Sequence, residues 1–133
     1  MLIAITSESM DLNSLVAEKF GRTPFVIFYD TEKNTFEFLR NPYANIFGGA
    51  GIQTAQFMIE KNAGVVITTE IGIHPLRLLE SANVLIYSCT QKQVKEIVKQ
   101  FVAGNLLTIK HESSQTVGRG GMGRKRRKRN KNF

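Results

Sequence analysis

Three glycines placed just before a predicted helix are the first residues whose type and spacing could do chemistry. Gly48, Gly49 and Gly51 lead into an amphipathic segment at 52–62. Backbone N–H groups at a helix N-terminus, together with the helix dipole, favour a bound anion. Neither Gly-Lys-Ser/Thr nor Gly-x-Gly-x-x-Gly occurs here, so the pattern is a weak nucleotide signal. The alternative is a tight turn or a close helix contact that needs glycine because it lacks a Cβ.

Two residues that bind soft metal ions follow consecutive predicted strands. His74 comes after the strand predicted at 65–68, and Cys89 comes after the one at 84–87. Imidazole and thiolate ligate iron, zinc and copper, and neighbouring parallel strands could bring the two side chains together. They could hold a preformed cluster, or complete a site with a second subunit or with Met10. The alternatives are a buried cysteine acting as a small hydrophobe and a loop histidine with a capping role.

Residues for acid–base or nucleophilic catalysis form no recognisable constellation. The first predicted strand carries no carboxylate, and no Ser-His-Asp or Cys-His-Asp arrangement can be argued. The single cysteine excludes an intrachain disulfide and a self-contained four-cysteine zinc or iron–sulfur site. The residues by themselves therefore support no particular catalytic mechanism. A nucleotide-dependent enzyme, based only on the glycine segment, is the remaining enzymatic alternative.

The charges of the chain are divided sharply between its body and its end. Of the 18 lysines and arginines, eight lie in 119–131. The other ten lie in 1–118, which also contains all eleven acidic residues. Glycine and like charges cannot form a core, so we predict a domain at 1–112 and a disordered basic tail at 113–133. Such a tail could bind nucleic acid nonspecifically, and a nucleic-acid-associated protein is the alternative function.

The periodicity of apolar residues predicts an α/β domain with a mixed sheet, parallel in its second half and covered by helices on both faces. A short helix is expected between a cap at Asp11 or Asn13 and Phe20, and 106–109 could add an extended piece. Ligands in such sheets bind outside the carboxyl ends of the parallel strands. The predicted strands are 2–6, 24–30, 35–40, 65–68 and 84–87, and the later helices are 52–62, 75–81 and 91–103.

The lengths of the apolar runs and the first residues of the sequence bear on the cellular location of the protein. No apolar run approaches the roughly 18 residues of a membrane span. The first residues lack the basic and long apolar regions of a signal peptide. We therefore expect a cytoplasmic protein that makes no membrane contact.

Several segments taken together resemble a known family. The Phe-Gly-Arg at 20–22 and the Gly-Gly-Ala-Gly-Ile at 48–52 are its most specific motifs. The chain resembles the dinitrogenase iron–molybdenum cofactor biosynthesis family, the small NifX-like proteins, which also resemble the C-terminal part of NifB. The resemblance covers about residues 1–107, and the matching segments are 1–5, 16–25, 41–42, 48–56 and 101–106.

This resemblance implies a ribonuclease H-like three-layer fold with a five-stranded mixed sheet. It implies noncatalytic binding, carriage or assembly of an iron–sulfur or iron–molybdenum type cluster, held transiently, with a cluster donor or acceptor protein as partner. Under this hypothesis His74 and Cys89 are the metal ligands, the segment 48–51 faces the negative charge of the cluster, and Arg22 pairs with that charge. Many family members have Gly-Pro where this chain has His74 before its proline. We expect a monomer or a weak homodimer.

Overall fold

Every strand and helix of the described chain arises from a short apolar run or an amphipathic stretch. The computed structural model describes residues 1–109. In chain order the elements are β1 (Leu2–Ser7), β2 (Phe25–Asp30), β3 (Thr35–Arg40), α1 (Ala50–Glu60), β4 (Val65–Thr68), α2 (Ile73–Ser81), β5 (Leu85–Ser88), α3 (Val94–Val102) and β6 (Leu107–Ile109). The predicted strands, the hairpin and the three later helices are confirmed, with ends that differ by up to three residues.

The sheet is mixed and has six strands in the described part of the chain, in the order β3-β2-β1-β4-β5-β6. β1, β4 and β5 run parallel, while β2, β3 and β6 pair antiparallel with their neighbours. The five strands implied by the family resemblance are therefore a wrong count. The sixth strand forms because Ile109 pairs with Ile86 and packs on the core. The ribonuclease H-like classification stays a prediction.

Helices cover both faces of the sheet, as the alternation of apolar side chains predicts. Met58 of α1 and Leu79 of α2 join one buried cluster, and this side is called the α1/α2 face. Val94 and Ile97 of α3 join the other cluster, on the α3 face. Consecutive residues of β1 alternate between the two clusters, since Ala4 belongs to the first and Ile3 and Ile5 to the second.

The helix expected over 11–20 is absent, and this prediction was wrong. The backbone N–H of Val16 donates to the carbonyl of Lys92 at 2.9 Å, and the carbonyl of Ser14 accepts from the N–H of Val94 at 2.8 Å. These hydrogen bonds tie the segment to the start of α3 rather than closing helical turns.

The apolar residues of 11–20 recur at helical spacing for a reason other than helix formation. Leu12 and Val16 pack in the cluster on the α3 face, whereas Phe20 is buried in the cluster on the α1/α2 face. One helix presents one apolar stripe to one neighbour. A segment that must supply both faces of a sheet therefore crosses its edge as a loop, although its residues recur at helical intervals.

The predicted boundary between a domain at 1–112 and a tail at 113–133 lies outside the described residues. Within 1–109, no helix is long and apolar enough to cross a membrane.

Candidate functional site

An open cleft lies at the carboxyl edge of the sheet, where sequence analysis expected a ligand. Its volume is about 390 Å³. Three segments form its walls: residues 19–22 from the β1–β2 connection, the start of α1, and residues 70–75, which follow β4. The lining residues are Lys19, Phe20, Gly21, Arg22, Ala50, Gly51, Glu70, Ile71, Gly72 and Pro75.

Two helix N-termini open into this cleft, and neither carries a side-chain cap. Gly49 is the N-cap of α1 and Gly72 is the N-cap of α2, and neither first turn contains an acidic residue. The N–H groups of a first helical turn have no acceptor within their own helix, and the helix dipole adds about half a positive charge there. The cleft therefore offers backbone donors and positive potential from two directions.

Among the glycines predicted to bind an anion, the structure separates two roles. Gly51 lines the cleft. Gly48 and Gly49 come before Gly51 in the chain, do not line the cleft, and have φ values of 81° and 75°. These left-handed conformations are open to glycine without the Cβ penalty that other residues carry. Gly48 and Gly49 thus shape the turn that aims the start of α1 at the cleft.

Close packing explains why residues 21 and 51, at the centre of the site, are both glycines. A Cβ on Gly21 would lie 2.8 Å from both Cα and N of Gly51. A Cβ on Gly51 would lie 3.1 Å from Cγ of Pro75. The alternative reading of the glycine segment, a close helix contact, therefore holds at Gly51. The sequence analysis included Gly21 only in the Phe-Gly-Arg motif and did not predict this contact.

The charged side chains at the cleft favour an anion. Lys19 and Arg22 contribute two positive charges, and Glu70 contributes one negative charge. Nη1 of Arg22 donates to the carbonyl oxygens of Ala44 at 3.0 Å and Ile46 at 2.7 Å. Arg22 thus lines the cleft and also fastens the loop that leads into α1, and its pairing with a bound charge stays a prediction. Lys19, which precedes the Phe-Gly-Arg motif, was not predicted.

A buried polar network holds two walls of the cleft together. Nδ2 of Asn41 donates to the carbonyl of Thr23 at 2.9 Å and to Oγ1 of Thr54 at 3.0 Å. Oγ1 of Thr54 in turn donates to the carbonyl of Gly21 at 3.3 Å. Asn41 and Thr54 are 3% and 0% exposed, so these bonds are sheltered from water. The sequence analysis included Asn41 only in the family-matching segment 41–42 and did not predict this network.

The two predicted metal ligands lie on elements that pack against opposite faces of the sheet. His74 is exposed in the first turn of α2, which covers the α1/α2 face. Cys89 packs against the cluster on the α3 face. Neither side chain lines the cleft, although residues on both sides of His74 do. Among the described residues no group of three or more His, Cys, Asp or Glu is placed to hold a metal ion.

We expect Cys89 to react slowly with alkylating agents. Burial disfavours the thiolate and raises the pKa of Cys89 to about 11. It is the only cysteine of the sequence, so labelling reports on it alone. The alkylation rate at pH 8 should be at least about tenfold below that of a small free thiol, since the thiolate is the nucleophile.

The raised pKa of Cys89 also makes the stability of the folded protein depend on pH. A thiol whose pKa is raised by folding stabilises the protein below its unfolded pKa of 9.0, and this contribution is lost as the pH rises towards 11.

For the alkylation measurement, the control is protein unfolded in urea, in which Cys89 should react at the rate of a free thiol. A native rate equal to the unfolded rate at pH 8 would contradict the burial of Cys89.

The geometry defines a small α/β domain with an open, positively charged cleft at the carboxyl edge of its sheet. No curated protein matches the chain. A family model described as dinitrogenase iron-molybdenum cofactor matches residues 1–104, and the chain belongs to this family. The family identified from the sequence is thereby confirmed, and membership implies a role in the biology of iron–molybdenum-cofactor-related clusters.

Solved structures support the same assignment. The apo form of the orange protein from Desulfovibrio gigas is 27% identical with a TM-score of 0.78, and the match covers 81% of this chain and 92% of that one. A Thermotoga protein provisionally named NifB is 30% identical with a TM-score of 0.70, covering 90% and 98%. A Methanocaldococcus jannaschii protein provisionally named dinitrogenase, at 16% identity and a TM-score of 0.62, covers 82% and 94% and shares the fold alone.

Proposed function

We propose that this protein binds and carries an iron–sulfur or iron–molybdenum type cluster in the cleft, without catalytic turnover. One observation carries the proposal: two uncapped helix N-termini and two basic side chains meet at one cleft in a member of a cluster-related family. Concave arrangements of backbone N–H groups bind anions, sulfide-rich clusters among them. Carriage requires a donor and an acceptor protein, which exchange the cluster with this chain.

The cleft suits a cargo that brings its own sulfide ligands. The lining residues offer N–H donors, an ammonium and a guanidinium, which contact an anion without bonding to its metal ions. His74 and Cys89 lie outside the lining, and the raised pKa of Cys89 works against a thiolate ligand. The proposal therefore assigns the first binding contacts to Lys19, Arg22 and the start of α1.

Binding is tested with defined clusters under anaerobic conditions. The full chain is titrated with isolated iron–molybdenum cofactor and, separately, with a synthetic [4Fe–4S] thiolate cluster, while visible absorbance is recorded. We expect one cluster per chain and weaker binding at higher salt, because exposed charges are screened. Absence of stoichiometric binding for both clusters would overturn the proposed function.

Single substitutions locate the site. Lys19→Gln should weaken binding about fivefold, as expected for the loss of one exposed charge contact. Lys61→Gln is the matched control, because Lys61 lies at the opposite end of α1 and should leave binding unchanged. His74→Ala and Cys89→Ala should also retain binding. If they abolish it while Lys19→Gln has no effect, the predicted metal ligands hold the cargo and the cleft does not.

A further inference from the structure

Thr69 follows β4 directly and ties together two of the three segments that form the cleft. Its hydroxyl group donates to two carbonyl oxygens, those of Ala17 at 2.8 Å and Glu18 at 2.7 Å, and shares its one hydrogen between them. The backbone N–H of Phe20 donates to the carbonyl of Glu70 at 2.9 Å. These hydrogen bonds hold the β1–β2 connection against the segment that leads into α2.

The position of Thr69 is itself fixed by the sheet. The preceding residue, Thr68, is fully buried and pairs with Ser88 of β5. Oγ1 of Thr68 accepts a hydrogen bond from Oγ1 of Thr6 at 3.0 Å, and its carbonyl accepts from the N–H of Cys89 at 3.1 Å. Groups carried on strands are held more precisely than groups on loops, so Thr69 is a firm point of attachment for the neighbouring connection.

The two peptide groups on either side of Lys19 are both held by these bonds. The carbonyl of Glu18 belongs to the peptide group that joins Glu18 to Lys19, and the N–H of Phe20 belongs to the next peptide group. Each peptide group is planar, and each of the two planes contains Cα of Lys19. Fixing both planes fixes the direction in which the side chain of Lys19 leaves the backbone.

Lys19 itself forms no hydrogen bond or ion pair with another residue of 1–109. Its side chain is exposed and lines the cleft. A lysine side chain is a flexible stem of four carbons, so the ammonium group samples a region that is set by where and in which direction the stem leaves the backbone. The hydrogen bonds to the neighbours of Lys19 therefore set how much of that region lies at the cleft.

We propose that Thr69 is a positioning residue, which directs Lys19 towards an anionic cargo although Thr69 does not line the cleft. The inference rests on the proposed function, in which Lys19 is one of the two basic side chains that contact the cluster. Glu70 contributes through its backbone carbonyl, which every residue type has, whereas Thr69 contributes through a hydroxyl group. Of these two contributions, only that of Thr69 depends on the identity of the side chain.

The test compares full-length chains that differ in the hydroxyl group at position 69. Thr69→Val replaces the hydroxyl by a methyl group, and Thr69→Ser keeps the hydroxyl. Each chain is titrated anaerobically with isolated iron–molybdenum cofactor, and circular dichroism gives the folded fraction. We expect Thr69→Val to weaken binding about threefold at low salt, and Thr69→Ser to bind within about 1.5-fold of the natural chain, as for one exposed charge contact that is misplaced or kept.

Thr31→Val is the matched control. Oγ1 of Thr31 also donates to a backbone carbonyl, that of Met1 at 3.2 Å, but at the amino end of β1. Its replacement should leave cluster binding unchanged. Thr69→Ala is a second test variant for the event that Thr69→Val does not fold. Alanine also lacks the donor, so Thr69→Ala should weaken binding as Thr69→Val does.

A double substitution distinguishes positioning from support of the whole fold. In a chain that already carries Lys19→Gln, Thr69→Val should change binding by less than about 1.5-fold, because the charge that Thr69 directs is gone. The effect of Thr69→Val in the natural chain should also shrink as salt rises, because it acts through an exposed charge. An equal loss in both backgrounds would mean that Thr69 supports the cleft as a whole, and the proposal would be wrong.

A second readout needs no cargo. The amide N–H of Lys19 lies in the peptide plane that Thr69 holds, so its NMR order parameter reports the rigidity of that plane. The order parameter should be about 0.85 in the natural chain and in Thr69→Ser, and it should fall towards about 0.6 in Thr69→Val. Equal order parameters in all three chains would overturn the proposal.

The outcomes separate the two proposals. If the natural chain binds no cluster, the proposed function fails, and the order parameter of Lys19 alone decides whether Thr69 holds this segment. If the natural chain binds the cluster and Thr69→Val binds it equally well, the proposed function stands and the positioning of Lys19 by Thr69 is wrong.

Discussion

Replacing Gly21 with alanine should destabilise the protein by about 3 kcal/mol or more, at the upper end of what overpacking costs. The added Cβ would lie 2.8 Å from Cα and N of Gly51, and backbone atoms cannot rotate out of its way. The start of α1 must therefore move away from the 19–22 segment, which also widens the cleft. Chemical denaturation measures the loss, and cluster titration of the folded fraction should show weaker binding.

Two further alanine substitutions calibrate this result. Gly51→Ala should cost less, because its Cβ would lie 3.1 Å from a ring atom of Pro75, and Pro75→Ala in the same chain should recover part of the loss. Gly64→Ala is the control, since its nearest neighbours lie at the ordinary contact distances of 3.8 and 4.0 Å. Equal stability of Gly21→Ala and Gly64→Ala would refute the close contact between the two backbone segments.

We expect Asn41→Ala to reduce the free energy of unfolding by about 3 kcal/mol, the cost of leaving buried polar groups without partners. The substitution removes the donor to the carbonyl of Thr23 and to Oγ1 of Thr54, together with the acceptor for the N–H of Tyr43. The substitution therefore leaves polar atoms without hydrogen-bond partners in a site from which water is excluded. Urea denaturation with an unchanged m-value would show that stability, and not compactness, has changed.

Asn45→Ala is the matched control because Asn45 is exposed in the same loop, and its replacement should change stability by less than about 0.5 kcal/mol. A double-mutant cycle with Thr54→Val should give a coupling free energy of about 1 kcal/mol or more, because the two side chains share a hydrogen bond. Additive losses would mean that Asn41 and Thr54 act independently, contrary to the network.

The candidate site was predictable in part. Arg22 and Gly51 were expected at an anion site, and both line the cleft. Lys19 and Gly72 were missed, because their importance depends on which loops meet above the sheet, and spacing along the chain does not encode that. For His74 and Cys89 the metal-ligand role stays a prediction, but the structure does not bring them to the cleft. Each follows a parallel strand, as predicted, but their elements pack on opposite faces of the sheet.

The sequence by itself determined the family, the mixed α/β sheet with helices on both faces, and the separation of a balanced body from a basic segment. These features follow from local information: short apolar runs, amphipathic periods, recognisable motifs and a count of charges. Only the tertiary structure decided that 11–20 forms a loop, that a sixth strand joins the sheet, and that Gly21 packs against Gly51. The physical reason is that hydrogen-bond partners and steric neighbours far apart in sequence compete with local preference, and at this cleft the distant contacts prevail.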